Sequence, residues 1–580
     1  MKLRYFQLVM LFTGIVGFSS CKKFLDINKD PDRLPDSNSP IAQLLPSAQV
    51  NLSFEGGSDL FRYTTEIMQM MSGGASSPNQ TFDYYRYNIT GTDVNNVWSS
   101  IHAGGNGNSG TLNDLELIIK QGGASPYYTG IAKIMKAYEY SLVVDVWGKV
   151  PYSEAQQLTA NTQPHYDNDA TIYPKLLQLL TDGVTDLNAT SSVLTPGTNS
   201  VIYTNGGTFA TARTQWIKLA NTLKLRLLLH YSKIDPTWIT QMTNAITAAG
   251  ANLMASNTDN FSTPFYDVAN NRNPISAFEV SRPGYLYADN NMTSRMNAKF
   301  DPRRPFYFTS FPYQGLQLPI TLTTSAATAA GGNVLTFSST VSTGTPSGAA
   351  TANMVISGPG IPTGTVSTAV TATTITLNQN VTGVASGASI VVSPNAFLGV
   401  SAASLPIPAS NQFSRIHTFL RGAVTAGASP PFTYSGAAPQ RMLTFAEYNF
   451  IRAEHALAAL LPTATVQAFF QAGITASMQE VGVSAVQIAD YLTSYGALTG
   501  SAANMKQQII EEKYIALFGV SVEPWTDWRR TGFPVLTIPG NAQVPSVPRS
   551  LFYPQAEIDL NPNCPGQKSP SLQDKVFWDN

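Results

Sequence analysis

The chain is predicted to be mainly α-helical with a small all-β domain inserted into it, on three observations. Apolar residues recur at intervals of three and four along many successive segments, the spacing of one helix face. Short turns join those segments, which makes helical hairpins of neighbours. Between positions 305 and 414 the pattern stops: no Asp, Glu, Lys or Arg occurs, and 333–392 is rich in Thr, Val, Ser, Ala and Gly.

Residues 127–154 are the centre of the helical part. Ile131, Ile134, Met135, Tyr138, Leu142 and Val146 share one helix face. Tyr140, Val143, Val144 and Trp147 make the opposite side apolar in the second half, so burial between other helices is expected. Gly148 and Pro151 supply the stop. In chain order, 41–71 is a long helical pattern broken near Gly56 and Gly57, and 72–110 is irregular and rich in Gly, Asn and Tyr. Helices are then expected at 112–120 and 172–187. Another covers 214–233, where Trp216, Leu219, Ala220, Leu223, Leu227 and Tyr231 share a face, and its neighbour covers 238–248. A capping box of Thr444 and Glu447 opens 444–461. Helices at 466–478, 486–495 and 505–518 follow. Stacked hairpins of this kind are the unit of tetratricopeptide-like arrays.

Within the charge-free segment, 334–337, 354–357, 366–370, 373–377 and 390–392 read as short strands separated by Gly and Pro turns. The expected organisation is a helical part at 21–319, an inserted β-rich domain at 320–393, and a second helical part at 394–580.

Composition excludes some functions. Only 12% of the 580 residues are charged, about half the usual share. Net charge is −1 with no long basic run, which leaves nucleic-acid binding without an electrostatic basis. Aromatics are 10%, with 25 Tyr, a surface suited to neutral, polar ligands. His102, His165, His230, His417 and His455 include no pair at metal-ligand spacing on one helix. Asp26, Asn28 and Asp30 resemble the start of a calcium loop, but Pro31 stands where that loop needs Gly and Ser37 where it needs Glu. The stretch 105–110 fits Gly-x-Gly-x-x-Gly without a surrounding βαβ unit, and reads as a flexible loop. Neither metal nor cofactor is expected. No Gly-x-Ser-x-Gly elbow occurs. Glycosidase carboxylates lie far apart in a chain, so a surface-anchored glycoside hydrolase stays open as an alternative.

The N-terminus has a basic region, Lys2 and Arg4, and an apolar run over 6–18 that is too short to span a bilayer. Ser19 and Ser20 then precede Cys21. This resembles a bacterial lipoprotein signal over 1–20, with Phe18 where such signals usually carry Leu. The resemblance implies that Cys21 is acylated and becomes the mature N-terminus. Cys564 then has no partner for a disulfide, and the protein is anchored to a membrane through lipid.

The run Cys21-Lys-Lys-Phe-Leu-Asp-Ile-Asn-Lys-Asp-Pro31 resembles the mature start of the SusD/RagB outer-membrane lipoproteins of Bacteroidetes. Ala137-Tyr-Glu-Tyr140 with Asp145-Val-Trp-Gly-Lys-Val-Pro-Tyr-Ser-Glu154 is similar to that family's central helix and its exit. Trp216-Ile-Lys-Leu-Ala-Asn-Thr-Leu-Lys-Leu-Arg226 is similar to another shared helix. Asp301-Pro-Arg-Arg304, Phe445-Ala-Glu-Tyr-Asn-Phe-Ile-Arg-Ala-Glu454, Glu523-Pro-Trp-Thr-Asp-Trp-Arg-Arg-Thr-Gly532 and Arg549-Ser-Leu-Phe-Tyr-Pro-Gln-Ala-Glu557 follow in the family's order. The β segment is the departure. The resemblance implies a SusD-like helical fold and a non-enzymatic, surface-facing binding protein. It would capture oligosaccharides, or in some members peptides, and pass them to a SusC-like TonB-dependent outer-membrane transporter. A purely structural partner of that transporter is the other alternative. Sugars present apolar C–H faces and hydroxyls, so their sites pair aromatic platforms with amides and arginines. On that ground Tyr84, Tyr85, Trp98, Asn106, Tyr285, Tyr287 and Asn291, in turn-rich stretches, are the expected ligand contacts. Trp525, Trp528, Arg529 and Arg530 are expected to be scaffold.

Overall fold

The computed structural model describes residues 40–74, 79–102, 104, 110–203, 208–313, 315–339, 341, 350–402, 412–427 and 430–580. The signal segment, Cys21, the 26–37 stretch, Asn106 and most of the 105–110 loop lie outside the described residues.

The fold is mainly α. The principal helices are α1 (Ile41–Gly57), α2 (Thr111–Gln121), α3 (Pro126–Trp147), α4 (Asp169–Leu187), α5 (Phe209–His230) and α6 (Trp238–Ala249). After the β segment come α7 (Phe445–Ala458), α8 (Thr463–Val481), α9 (Ala485–Tyr495), α10 (Ala502–Ala516) and α11 (Glu523–Thr531). They pack as α1 on α2, α3 on α4, α5 on α6 and α7 on α8, with α4 against α5 and α5 against α7 joining the pairs. The expected hairpins are therefore present.

The central helix α3 is buried on most sides, as its two apolar faces require. It meets α4 at Gly130 and Gly183: a Cβ on Gly183 would stand 2.8 Å from Ile134 Cγ1 and 3.0 Å from the Gly130 carbonyl. Two glycines thus let the helix backbones approach where larger residues would hold them apart. The helix ends at Gly148, whose φ of 77° suits a residue without Cβ. Past the stop, Val150–Pro151 pairs with Tyr166–Asp167, and Trp147 Nε1 donates to the Phe552 carbonyl at 2.9 Å.

Several of the charges that this chain carries are buried between helices. Arg226 of α5 makes a two-pronged pair with Glu447 of α7 at 2.7 and 2.6 Å. Lys513 of α10 reaches Glu523 and Asp527 of α11 at 2.9 and 2.7 Å. Arg530 pairs with Glu454 and Asp527 at 2.9 and 2.6 Å. Arg529 lies over the Trp525 and Trp578 rings at 4.0 and 4.6 Å and donates to the Asp145 carbonyl at 2.6 Å. These residues are scaffold, and they fix one helix against the next through buried, hydrogen-bonded charge. The network also accounts for a difference at Thr444. Its hydroxyl accepts from the Glu447 N–H at 3.2 Å, but the Glu447 carboxylate turns to Arg226 instead of back to the helix start. The two-way capping box is found at Ser501 and Asn504.

Among its described residues the charge-free segment holds six strands: β1 (Ile320–Thr323), β2 (Val334–Thr336), β3 (Val355–Ser357), β4 (Ser367–Val370), β5 (Thr374–Leu377) and β6 (Ser389–Ser393). They form two antiparallel three-stranded sheets, β2-β5-β4 and β1-β6-β3. Leu335, Phe337, Met354, Ile356, Ile375 and Ile390 belong to a hydrophobic cluster separate from that of the helices. Strand β1 was not expected from sequence. It is an edge strand, and only Ile320 and Leu322 alternate with threonines. Among the described residues no helix is long and apolar enough to cross a membrane.

Candidate functional site

The expected ligand contacts start from two short segments that the structure orders more than a turn-rich reading suggests. Residues Gln80–Tyr85 form a helix whose first turn is capped by Asn79, which accepts from the Thr81 N–H at 3.0 Å. Residues Asn95–His102 form another. Leu286–Ala288 is a strand paired with Met71–Gly73, and Asp289 caps the helix Asn290–Ala298 by accepting from the Asn291 N–H at 2.6 Å.

This order buries most of the aromatic candidates. Tyr84 packs edge-on to Tyr63 at 4.9 Å. Tyr85 is fully buried, and its hydroxyl donates to Asp289 at 2.7 Å. Trp98 lies against Trp147 at 5.2 Å and stacks on Tyr166 at 6.2 Å. Tyr287 faces inward with Phe82 and Val400. These four rings are committed to packing and offer no open face to a sugar, a correction to the turn-rich reading: short amphipathic elements had hidden their apolar sides. Tyr285 and Asn291 stay partly exposed. Tyr285 stands edge-on to Phe278 at 6.0 Å. The Asn291 amide donates to the Tyr514 hydroxyl at 3.2 Å and accepts from Arg295 at 3.3 Å.

Sequence reasoning missed a cleft of about 280 Å³ lined by Arg272, Glu279, Arg415, Arg421 and Tyr434. One wall comes from Arg272, Pro283 and the helix Pro274–Ser281, the other from Arg415, Arg421 and residues 430–434, with Thr309 beside them. Gly436 ties the walls together: its carbonyl accepts from the Asn273 N–H at 2.9 Å, and its N–H donates to the Arg421 carbonyl at 2.8 Å. The Arg272 stem lies over Gly436 so closely that a Cβ there would be 2.6 Å from Arg272 Cγ.

Arg415 donates to Glu279 Oε2 at 2.8 Å, and Arg421 Nη1 stands 3.8 Å from the same oxygen. The Arg421 guanidinium sits 3.9 Å above the Tyr434 ring. Arg415 sits 5.9 Å from the Tyr287 ring, which connects the cleft to the predicted face from beneath. The Tyr434 hydroxyl is 2.8 Å from His417 Nδ1. Burial holds His417 near a pKa of about 3, so its ring is neutral at physiological pH. Glu279 is the one carboxylate lining the cleft among the described residues. The sequence signal for the cleft was the abrupt return of charge at Arg415 and Arg421 after the charge-free segment, followed by Phe432 and Tyr434.

A second cavity, of about 480 Å³, opens at the start of α5 between Tyr203, Phe209, Trp216 and the exposed Tyr266, with Thr198 and Ser200 on its polar side. Among the described residues no group of three or more His, Cys, Asp or Glu is arranged to hold a metal ion.

Comparison with known proteins gives consistent results. The model of a SusD-like family, described as "Starch-binding associating with outer membrane", matches residues 32–329 and 372–554. No curated protein matches. Among solved structures, a chitin-binding protein is 20% identical, with TM-score 0.62, over 92% of this chain and 99% of that one. A SusD/RagB family protein from Bacteroides thetaiotaomicron is 16% identical, with TM-score 0.63, over 93% and 99%. A SusD homologue from Bacteroides fragilis is 18% identical, with TM-score 0.62, over 93% and 99%.

Proposed function

The chain belongs to the SusD-like family, and from that membership we propose that it is a cell-surface nutrient-binding lipoprotein. It captures oligosaccharides and passes them to a SusC-like TonB-dependent transporter, held to the outer membrane by lipid on Cys21. The observation that carries this reading is the family match at both ends of the β segment, 32–329 and 372–554, which takes in nearly all of the helical body. The family's description as starch-binding and outer-membrane-associated, and the chitin-binding relative of the same fold, support a carbohydrate ligand.

The cleft supports binding without hydrolysis. Its lining brings guanidinium donors together with a single carboxylate, polar groups of the kind that hold a sugar's hydroxyls. Tyr285, two positions along the chain from the lining residue Pro283, is kept as a proposed ligand contact. The test is calorimetry of the mature protein against a panel of starch, chitin and plant-polysaccharide oligomers, with each mixture then analysed for chain length. Saturable heat with intact oligomers is expected. Shortened products, or no heat with any carbohydrate, would overturn the reading.

A further inference from the structure

Arg272, Arg415 and Arg421 come to the cleft around one carboxylate, Glu279. Arg272 has a counter-ion outside the lining, Asp267 at 3.0 Å. Arg415 and Arg421 share Glu279, and only Arg415 is within hydrogen-bonding distance of it. The Arg421 side chain is 9% exposed. The Nε atoms of Arg272, Arg415 and Arg421 are buried with no hydrogen-bond partner among the described residues, and so is Oε1 of Glu279.

A buried guanidinium ordinarily satisfies its donors, and leaving one unpaired costs free energy. Burial draws Arg421 below its usual range, with Arg415 adding like-charge repulsion and Glu279 offsetting part of it. The lining sets three guanidinium groups against one carboxylate, and among the described residues Arg421 has no carboxylate within hydrogen-bonding distance of its own. The planar fork of arginine is suited to a carboxylate or a sulfate.

We propose that this cleft recognises a carbohydrate bearing an anionic substituent, a uronate carboxylate or a sulfate ester, held by Arg415 and Arg421. The inference rests on the binding role above and specifies the ligand class.

The test is calorimetry on the mature chain with four probes of matched length: oligogalacturonate, a sulfated galacto-oligosaccharide, its neutral counterpart, and an acidic peptide. At least one anionic sugar is expected to bind about tenfold or more tighter than the neutral one, with affinity falling as salt rises. The two anionic arms tell carboxylate from sulfate. Arg421→Gln and Arg415→Gln should each lower affinity for the anionic sugar about tenfold more than affinity for the neutral one, and Arg415→Gln should also melt lower than the parent because it leaves Glu279 without its partner. Arg272→Gln, at the more exposed edge, provides a variant that will fold even if the buried ones do not, and should reduce the preference less. Neutral sugar bound as tightly as the anionic ones would overturn this inference and leave the binding role standing. Binding of the acidic peptide alone, or no binding to any sugar, would overturn both.

Discussion

The Tyr85 hydroxyl donates to Asp289 Oδ2 at 2.7 Å across 204 positions of sequence. Both residues are buried, and the bond locks the Gln80–Tyr85 helix to the cap of Asn290–Ala298. Burial raises the Asp289 carboxyl to a pKa of about 7 even with Tyr85 and the Asn291 N–H favouring its charged form. Tyr85→Phe leaves that carboxyl with one donor fewer, at an expected cost of about 1–3 kcal/mol. The folded pKa lies above the unfolded one, so stability from this group is complete below pH 3.8 and is lost as pH rises through about 7. The mutational cost should therefore be larger at pH 8 than at pH 5. Thermal melts at the two pH values measure it, and an equal cost at both would contradict the account.

That pair also shows what the sequence made legible. The reading grouped Tyr84 and Tyr85 with Tyr285, Tyr287 and Asn291, and the structure does bring these stretches together through the pairing of Met71–Gly73 with Leu286–Ala288. It could not see their burial, because the apolar sides of a six-residue helix and a three-residue strand are too short to show a period. Helix α3 was legible because its two apolar faces repeat locally over six turns. The cleft was not, because Arg415 and Glu279 meet across 136 positions. No local pattern encodes such a convergence.

Glu55 and Glu139 form a second buried acid site. Burial raises Glu55 to about 7, against the Thr111 hydroxyl that donates to it at 2.7 Å, and burial with the neighbouring Glu55 raises Glu139 well above the usual carboxylate range. Both folded pKa values exceed 4.5, so this site's contribution is full below pH 4.5 and declines as pH rises through 7. Glu139→Gln keeps a neutral side chain at that place and removes the cost of protonating the acid on folding at high pH. The variant is expected to melt higher than the parent at pH 8, with the gain shrinking towards pH 4.5. A gain independent of pH would contradict the assignment.

Arg226 joins α5 to α7 through Glu447 and also donates to the Met442 carbonyl at 2.8 Å. Removing one partner of a buried pair leaves the other charge uncompensated, so Arg226→Met should cost about 3–5 kcal/mol in denaturant unfolding. Adding Glu447→Gln to that variant should recover part of the loss. A double variant as unstable as the sum of the two single ones would show that the pair does not couple.

The proposed acylation of Cys21 predicts a separation between folding and location. Cys21→Ala removes the only acceptor for acylation at the end of the signal segment. The variant is expected to leave the membrane fraction and to keep the melting curve of the delipidated parent, because no described helix can cross a bilayer. Retention in the membrane fraction would count against acylation at Cys21.

The β segment should be removable. Its first and last strands, β1 and β6, are hydrogen-bonded neighbours with Ile320 opposite Val392, so the chain leaves and re-enters the helical body at nearly one point. Residues paired across an antiparallel ladder are only about 4.5–5.5 Å apart at Cα, a gap that two or three glycines bridge. The segment has its own hydrophobic cluster. Its polar contacts to α9 are few, such as Gln487 to Ser393 at 3.2 Å and Ser494 to Thr363 at 2.7 Å, and they are replaceable by water. Replacing 321–391 with a short Gly-Ser linker should leave the helical body with a single cooperative melt and a helical circular-dichroism spectrum undiminished per helical residue. Ile356, Ile390 and Val392 pack within the removed or opened sheet, so the exposed remainder near Leu316 sets the expected cost at about 1–3 kcal/mol. A broad, non-cooperative melt would mean that the sheets hold the helices in place, and that the β segment is part of one folding unit with them.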